Sequence, residues 1–564
     1  HMPMLGNAVE MTAHAGGDIT QVPGKGTHLN AILLVSQIAD PGGQMPVHEH
    51  QPQALTLRHQ QVIDIRQLDR VKRTLNEGLV FDLLQETDRG VAPGLVFATR
   101  QGHFGHRGRT ALADRRQPVH VRGSRCHCTL PCQKDSVQRS ARMLHRIHAA
   151  SSSPVRERGA ASVAELPLPS RKDEAWRYTS VGFLEQAEYQ PLVEGPFDAI
   201  QLSDIDDLLV PQSQGLRLVF VNGHLATGVS DLGYEQDGVQ VRSLTGGLGD
   251  VSAGMRRHLD GIAEHRHVFA ALNSALMSDG ALIHVDRDVV ARSPIEILHI
   301  SVGMEQPGII HPRHLIVLER GARAEVTERY ACLGDARYFN NALVEVALGA
   351  DSELLHTRLQ EESSQAQHLS DVQVRQGERS RYRLVLAALG GAWSRSDVRV
   401  TFDGEGAEAE LDGLMLARDK QLNDVHLDVQ HLVPHCTSRE TFKGILDGKG
   451  RVVFDGRIVV AEGAQKTDAQ LSNDNLMLSR SAEVDTKPQL EIYADDVKCS
   501  HGTTVGELDA NMLFYLRSRG IPHARAIQML CRGFAEEVLA NIDNEPLRAY
   551  ANKLLTARLA QTTE

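Results

Sequence analysis

The segment DDVKCSHGTTVG, residues 495–506, concentrates side chains that bind metals. Asp495 and Asp496 carry hard carboxylate oxygens, whereas Cys499 and His501 carry a thiol and an imidazole. Thiolates and imidazoles are the usual protein ligands of iron in iron–sulfur clusters, and a thiolate also accepts sulfur. Carboxylates suit ferrous iron in transit. The segment therefore indicates iron or sulfur handling at Cys499 and His501, with Asp495 and Asp496 as an iron-entry pair.

The element that carries these residues decides whether they act together. In a β-strand, Cys499 and His501 point to the same side and can face one partner. The alternative is structural: the two aspartates cap a turn, and Cys499 is a small buried hydrophobe. No complete four-ligand set is visible in the chain, so an assembled cluster requires ligands from a partner subunit.

Three other groupings of potential ligands are weaker candidates. They are the HEH at residues 48–50, the set Cys126, His127, Cys128 and Cys132, and the set His426, His431, His435 and Cys436. The first is not followed by a barrel pattern, and the second lacks the further ligand pair of a structural zinc site. Strand alternation would scatter the third. We therefore predict no metal site within the chain alone.

Turn residues recur through the middle of the chain at a nearly constant spacing. They stand 28 or 29 residues apart, at Gly321, Gly349, Gly377, Gly406, Pro434 and Gly463. After each turn, apolar and polar residues alternate, which predicts strands with one buried face. Strands that return every ~28 residues without helical patterns between them predict a β-solenoid. A β-sandwich is the alternative, although its turns usually lie about 8–12 residues apart.

Helical patterns flank the repeat on both sides. One runs toward Gly280 as a candidate C-cap, and another carries an apolar stripe from Ile527 to Ile542. Such helices would cover the ends of a solenoid or dock a partner. We divide the chain into an atypical, poorly ordered leader at 1–142, a mixed N-terminal subdomain at 143–290, a solenoid core at 291–490 and a C-terminal helical subdomain at 491–564.

Composition and missing motifs exclude several classes of protein. No window of about 18 residues is apolar enough for a membrane span, and no secretory signal is visible. Seven scattered cysteines favour a reducing cytoplasm over a disulfide framework. The net charge of the chain is −12, and its acidic part, after residue 150, has no nucleic-acid footprint. It also lacks a phosphate-binding loop and a hydrolase elbow, so any ATP hydrolysis must come from another subunit.

Three segments of the chain resemble the SufD family of the SUF iron–sulfur cluster assembly system. They are RKDEAWRYTSV at 171–181, TFKGILDGKGRVVFDGRIVVAEGAQKTDAQLSNDNLMLS at 441–479, and KPQLEIYADDVKCSHGTTVGELDANMLFYLRSRGI at 487–521. The resemblance covers roughly 165–555. It implies a right-handed parallel β-helix with helical subdomains at both ends, in agreement with the repeat. Residues 1–142 resemble nothing in the family.

The resemblance also implies a function. It implies a cytoplasmic, non-catalytic scaffold that pairs edge to edge with SufB and binds the ATPase SufC through roughly residues 507–542. His501 and Cys499 would lie near the SufB interface, where iron or a transient Fe–S cluster is handled. A flavin in the complex and a homodimer of the isolated chain stay open. The alternatives are a SufB-like paralogue, which would carry more solenoid cysteines, and a β-helix enzyme that acts on polysaccharide.

Overall fold

The computed structural model describes residues 11–13, 153–186, 189–191, 200–210, 215–233, 236–247, 257–303 and 306–560. Apart from residues 11–13, the predicted leader lies outside the described residues, and so do its HEH motif and its cysteine set. The described part is mainly β, with a parallel solenoid of about eight turns and helices on both sides of it in sequence. The predicted fold class is therefore confirmed.

Two long sheets, called sheet A and sheet B, form the walls of the solenoid. The strands of sheet A are β1 (Met11–Ala13), β3 (Leu216–Val221), β4 (His224–Leu225), β7 (Ile295–Val302), β10 (Arg323–Leu333), β12 (Glu353–Gln360), β14 (Arg381–Ala388), β16 (Glu408–Ala417), β18 (Thr437–Leu446), β20 (Asp468–Met477) and β22 (Lys498–Gly506). The strands of sheet B are β2 (Gln190–Pro191), β5 (Val239–Ser243), β6 (Ala281–Val285), β8 (Gly308–Ile310), β9 (Arg313–Leu318), β11 (Tyr338–Leu348), β13 (Gln367–Gln376), β15 (Trp393–Phe402), β17 (Leu422–His431), β19 (Arg451–Val460) and β21 (Glu483–Ile492). The chain alternates between the two sheets from β9 to β22.

Successive coils stack in register. From β10 onward, each strand of sheet A pairs in parallel with the equivalent strand of the next coil. Equivalent residues therefore form columns across the sheet, and one inward column contains Leu384, Leu411, Glu440, Leu471 and His501. The antiparallel pairs are at the margins, namely β3 with β4, β5 with β6, and β1 with β22.

The predicted turns all fall where the chain leaves sheet B and enters sheet A. Gly321 and Gly406 adopt positive φ values of 70° and 71°, which glycine accepts without strain. Gly349 and Gly377 are required for a different reason. A Cβ atom at Gly349 would lie 2.7 Å from the backbone nitrogen of Arg320, and one at Gly377 would lie 2.8 Å from the Leu348 carbonyl oxygen. Successive turns are therefore stacked backbone against backbone.

The described helices lie outside the two sheets, and several pack against the outer faces of these sheets. They are α1 (Pro154–Glu165), α2 (Phe183–Gln186), α3 (Leu202–Ile205), α4 (Leu244–Gly247), α5 (Val268–Leu276), α6 (Ala510–Ser518), α7 (His523–Leu539) and α8 (Glu545–Ala560), with 3-10 turns at Glu174–Trp176 and Asp206–Leu208. None of the described helices combines the length and apolar composition needed to cross a membrane.

This arrangement corrects the expectation that the helices cover the ends of the solenoid. Apolar residues of α1 and α5 pack with Phe339, Leu369 and Trp393 of sheet B. Apolar residues of α7 and α8 pack with sheet A as far as Leu476 in β20. The face of each sheet, rather than its end, has the continuous apolar surface that an amphipathic helix buries. Most residues of β21 and β22 are consequently only partly buried.

Two predicted boundaries differ from the structure. Gly280 is not a helix cap, because α5 ends at Leu276 and Gly280 immediately precedes β6. A Cβ atom there would lie 1.7 Å from the carbonyl oxygen of Arg313, so close backbone approach requires glycine. The solenoid strands also continue to Gly506, beyond the predicted boundary at residue 490, since the segment with Cys499 forms a further strand.

The interior of the first coils contains a buried polar network. Glu328 accepts hydrogen bonds from Arg358 Nε at 2.9 Å and from the Tyr330 hydroxyl at 3.0 Å, and it lies 2.9 Å from His356 Nε2. All four side chains are buried. The Arg358 guanidinium and the hydrogen bonds hold the pKa of Glu328 well below its usual range, although burial opposes this shift. These contacts join strands β10 and β12 and favour one register.

Three further histidines are buried in this part of the chain, namely His299, His311 and His314. The Ala281 N–H donates to His314 Nδ1 at 2.9 Å, and His314 Nε2 lies 3.0 Å from His299 Nε2. Burial lowers the pKa of His314 to about 4 and that of His311 to about 3. Both imidazoles are therefore neutral in the folded chain across the physiological range.

These lowered pKa values predict a loss of stability on acidification. Below the ordinary histidine pKa, the unfolded chain binds protons that His314 cannot bind in the folded chain. Stability should therefore fall as the pH decreases from about 6.5 toward 4, by about 2 kcal/mol per such histidine at about pH 5. Urea unfolding at pH 7 and pH 5 measures this loss. His314→Gln should reduce it by about that amount, whereas His523→Gln, at an exposed position, should not. An equal loss in all three proteins would contradict the prediction.

Candidate functional site

The segment with the metal-binding side chains forms β22, the last parallel strand of sheet A. Its first residue, Lys498, donates its N–H to the Thr467 carbonyl at 2.8 Å. Cys499 lies opposite Ala469 and His501 lies opposite Leu471. Because both partners belong to the hydrophobic core, Cys499 and His501 both point into the solenoid interior.

Cys499 is part of the hydrophobic core. Its exposed fraction is 3%, and burial raises the pKa of its thiol to about 11. The thiol is therefore protonated at neutral pH and weakly nucleophilic. In the isolated chain, Cys499 is therefore packed as a small buried hydrophobe. It needs a local opening or a partner before it can bind iron or accept sulfur.

His501 lies at the open end of the solenoid interior. Its imidazole is half-buried, and it occupies the column above Leu471, beyond which no further parallel strand of sheet A follows in the described residues. Burial lowers the pKa of His501. Its Nδ1 atom is buried and has no hydrogen-bond partner. A neutral imidazole with an unpartnered nitrogen is suited to a metal or to a donor from another chain.

Asp495 and Asp496 lie in the exposed turn before β22. The Lys466 ammonium pairs with the Asp496 carboxylate, and the Lys466 N–H donates to the Asp496 carbonyl at 2.6 Å. The Asp496 N–H in turn donates to Gln465 Oε1 at 2.9 Å. Asp496 therefore helps to shape the turn. Within the described part of the chain, no group of three or more His, Cys, Asp or Glu side chains is close enough to hold a metal ion.

The third candidate set is dispersed, as strand alternation predicts. His426 lies on the outer face of sheet B, with Nε2 3.0 Å from Asp424 Oδ1. His431 is buried, and its Nε2 lies 3.0 Å from the Ser438 hydroxyl. His435 is in an exposed turn and Cys436 is buried. These side chains do not form one site.

A cavity of about 330 Å³ lies on the outer face of sheet B beside Trp176. Its walls carry charged side chains that mostly pair with one another. Arg395 stacks on the Trp176 ring, 3.8 Å from its centroid, and donates to Asp397 at 2.8 Å. Lys487 pairs with Glu174 at 2.8 Å. These charges already pair with one another. The side chains around the cavity are therefore better explained as the contact between the N-terminal segment and sheet B than as a ligand-binding site.

The two strands at the end of the solenoid, β21 and β22, differ in how well their edges are protected from pairing with another strand. β21 contains Pro488, which has no N–H, and the charged residues Glu483, Asp485, Lys487 and Glu491. β22 contains no proline and no acidic residue. Prolines and charges protect edge strands from pairing, so β22 is the less protected of the two edges. Met11–Ala13 lies antiparallel beside residues 499–501.

We did not single out Glu440 from the sequence. It stands in the inward column between Leu411 and Leu471 and has an exposed fraction of 1%. Alignment of the strand positions in the repeat would have revealed an acidic residue in a column of leucines. Its surroundings are described below.

The chain matches two protein-family models. The model described as the SUF system FeS cluster assembly, SufBD core domain, matches residues 300–534. The model described as the SufBD protein N-terminal region matches residues 135–297. Two residues separate the two matches, which together cover most of the described residues.

Curated relatives agree with these models. An iron–sulfur cluster assembly SufBD family protein of Synechocystis is 31% identical over 72% of this chain and 90% of its own length. The iron–sulfur cluster assembly protein SufD of Escherichia coli is 35% identical over 68% of this chain and 87% of its own length. The chloroplastic protein ABCI7 of Arabidopsis thaliana is 30% identical over 70% of this chain and 84% of its own length.

Proposed function

The chain belongs to the SufBD family of the SUF iron–sulfur cluster assembly system, and we propose that it acts there as a cytoplasmic, non-catalytic scaffold subunit. Its proposed partners are a SufB-type scaffold and a SufC-type ATPase. The observation that carries this proposal is the edge strand β22, which lacks proline and acidic residues and holds His501 at the open end of the solenoid. Family membership gives no support to the polysaccharide-acting alternative.

The proposed contact with the SufB-type subunit is strand pairing along β22. Because the Lys498 N–H donates to Thr467, alternation directs the N–H groups of Thr503 and Val505 away from β20. These groups are donors for an added strand. A partner that pairs along residues 499–501 must also replace Met11–Ala13. The same edge also offers a surface for a homodimer of the isolated chain, which the sequence left open.

Iron, or an Fe–S cluster in assembly, is the proposed cargo at this contact. His501 supplies an imidazole and Cys499 a thiolate once it is exposed, and the sister subunit supplies the remaining ligands. Asp495 and Asp496 are the proposed entry groups, since both are exposed immediately before β22. Asp496 would have to release Lys466 to bind iron. We assign no residue of this chain to a flavin.

The proposed contact with the ATPase is on α6 and the adjoining part of α7, within residues 507–542. No residue of α6 is buried. Phe514 and Tyr515 on α6 are 73% and 50% exposed, and Met529 on α7 is 41% exposed. Large exposed aromatic side chains on a helix without buried residues are typical of a protein-binding surface. The other face of α7 packs on sheet A and fixes the position of this surface.

The role of His501 predicts a defect in cluster assembly. In a strain that depends on this SUF system, His501→Ala should lower the activity of a cluster-dependent reporter enzyme at least about tenfold, because it removes a ligand. Co-purification of the partners should be unchanged. His435→Ala, in an exposed turn, is the control. Normal reporter activity with His501→Ala in an intact complex would remove His501 from the site.

The edge-pairing model predicts a selective effect of proline in β22. Val505→Pro removes an outward N–H without removing a bond to β20, so the affinity for the SufB-type subunit should fall at least about tenfold. Val505→Thr retains the N–H and should bind normally. Calorimetry or light scattering with the purified partner measures the difference. Equal affinities of the two variants would place the contact elsewhere.

The docking surface on α6 predicts a separate effect on the ATPase. Phe514→Ala with Tyr515→Ala should weaken capture of the ATPase by at least about tenfold, because exposed aromatic residues dominate binding energy. The thermal midpoint should change little, since α6 buries no side chain. Leu432→Ala, which alters an exposed apolar residue in a solenoid turn, is the control. Unaltered capture by the double variant would argue against this surface.

A further inference from the structure

Glu440 is a buried carboxyl group that the proposed function does not use. It lies on β18 with an exposed fraction of 1%, and neither of its oxygens has a hydrogen-bond partner of good geometry. Its neighbours in the inward column are Leu411 and Leu471. Burying an ionised carboxyl group in such surroundings is strongly unfavourable, and burying a neutral one without hydrogen bonds is unfavourable as well.

Other polar groups around Glu440 do not compensate it. The Ser438 hydroxyl stabilises the ionised form of Glu440 only partly. It also lies within hydrogen-bond distance of His431 Nε2. Arg439, the preceding residue, points outward and donates to Asp468 Oδ1 at 3.0 Å. The thiol of Cys499 is two coils away and is itself protonated. Burial raises the pKa of Glu440 to about 8, so the carboxyl is mostly neutral in the folded chain at pH 7.

The position of Glu440 makes it sensitive to opening of the solenoid end. The terminal coils, residues 451–506, comprise β19 to β22 and cover β18 on the side of the open end. If these coils separate from β18, water reaches Glu440 and the carboxyl ionises with its ordinary pKa. Opening thus releases a proton, so it becomes more favourable as the pH rises from about 4.5 to 8.

We propose that Glu440 keeps the terminal coils locally unstable, so that they open and expose Cys499, which is buried in the closed chain. An apolar residue in the same column would seal these coils as leucines do in the neighbouring coils. The inference rests on the proposed function in one respect, namely that a partner uses the exposed Cys499. The opening itself is a property of this chain alone.

Thiol labelling of the full chain under native conditions tests the proposal without iron or partners. Labelling of Cys499 with iodoacetamide is followed by mass spectrometry from pH 6 to pH 8 in the wild type, in Glu440→Gln and in Glu440→Leu. Cys332, which is partly exposed in the first coils, is the internal control for reagent and thiol chemistry. Glutamine has nearly the same shape but does not titrate, so it isolates the effect of the proton.

The ratio of the Cys499 rate in the wild type to that in Glu440→Gln should rise by at least about tenfold between pH 6 and pH 8. Glu440→Leu should slow labelling of Cys499 at pH 8 by at least about tenfold, while Cys332 is unaffected. A ratio that does not change with pH, or an unchanged rate in Glu440→Leu, would overturn the inference. Either result would leave the role of His501 intact, and a failure of the His501 experiment would leave the labelling result valid.

Discussion

Parallel, in-register stacking is the constraint on which the rest of the structure depends. Equivalent residues of successive coils lie about 4.8 Å apart, so a column is stable only if its members are apolar or paired. Every coil satisfies the backbone of the one before it. No further coil follows the last strand among the described residues, so the part of β22 beyond its pairing with Met11–Ala13 is an open edge. The position of His501 at the end of an inward column follows from this constraint.

Much of this architecture can be predicted from the sequence because the sequence pattern repeats from coil to coil. Gly321 and Gly406 mark turns through their positive φ, and the alternating residues after each turn locate the strands. The placement of the helices was not predictable, since the apolar stripe of α7 fits the face of a sheet as well as its end. The left-handed residue in four of the turns is also not glycine: it is Asp351, Arg379, His435 or Lys466.

The site was predictable in its residues but only partly in its burial. The strand with Cys499 and His501 is present, and both side chains lie on one side of it. Whether that side is inside or outside depends on the register with Ala469 and Leu471, which alternation within one segment does not reveal. The burial of Glu440 was not predictable for the same reason, because the residues that surround it belong to the neighbouring coils. Asp495 and Asp496 are typical of a turn whatever their further role.

The difference between Cys499 and His501 supports the proposal that the site is shared between two subunits. The thiol is protonated and enclosed, whereas the imidazole is neutral and has an unpartnered nitrogen near the open end. Neither is sufficient for a cluster, and the surrounding core offers no further ligand among the described residues. In the proposed function, the scaffold presents these two groups on its last strand and takes the remaining ligands from a second chain.

Hydrogen–deuterium exchange at the outward N–H groups of Thr503 and Val505 tests the central claim most directly. The measurement compares the chain alone with the chain bound to its SufB-type partner. Pairing along β22 predicts that exchange at these two amides slows by at least about a hundredfold on binding. Unchanged exchange there in a fully formed complex would contradict the assignment of β22 as the contact between the subunits.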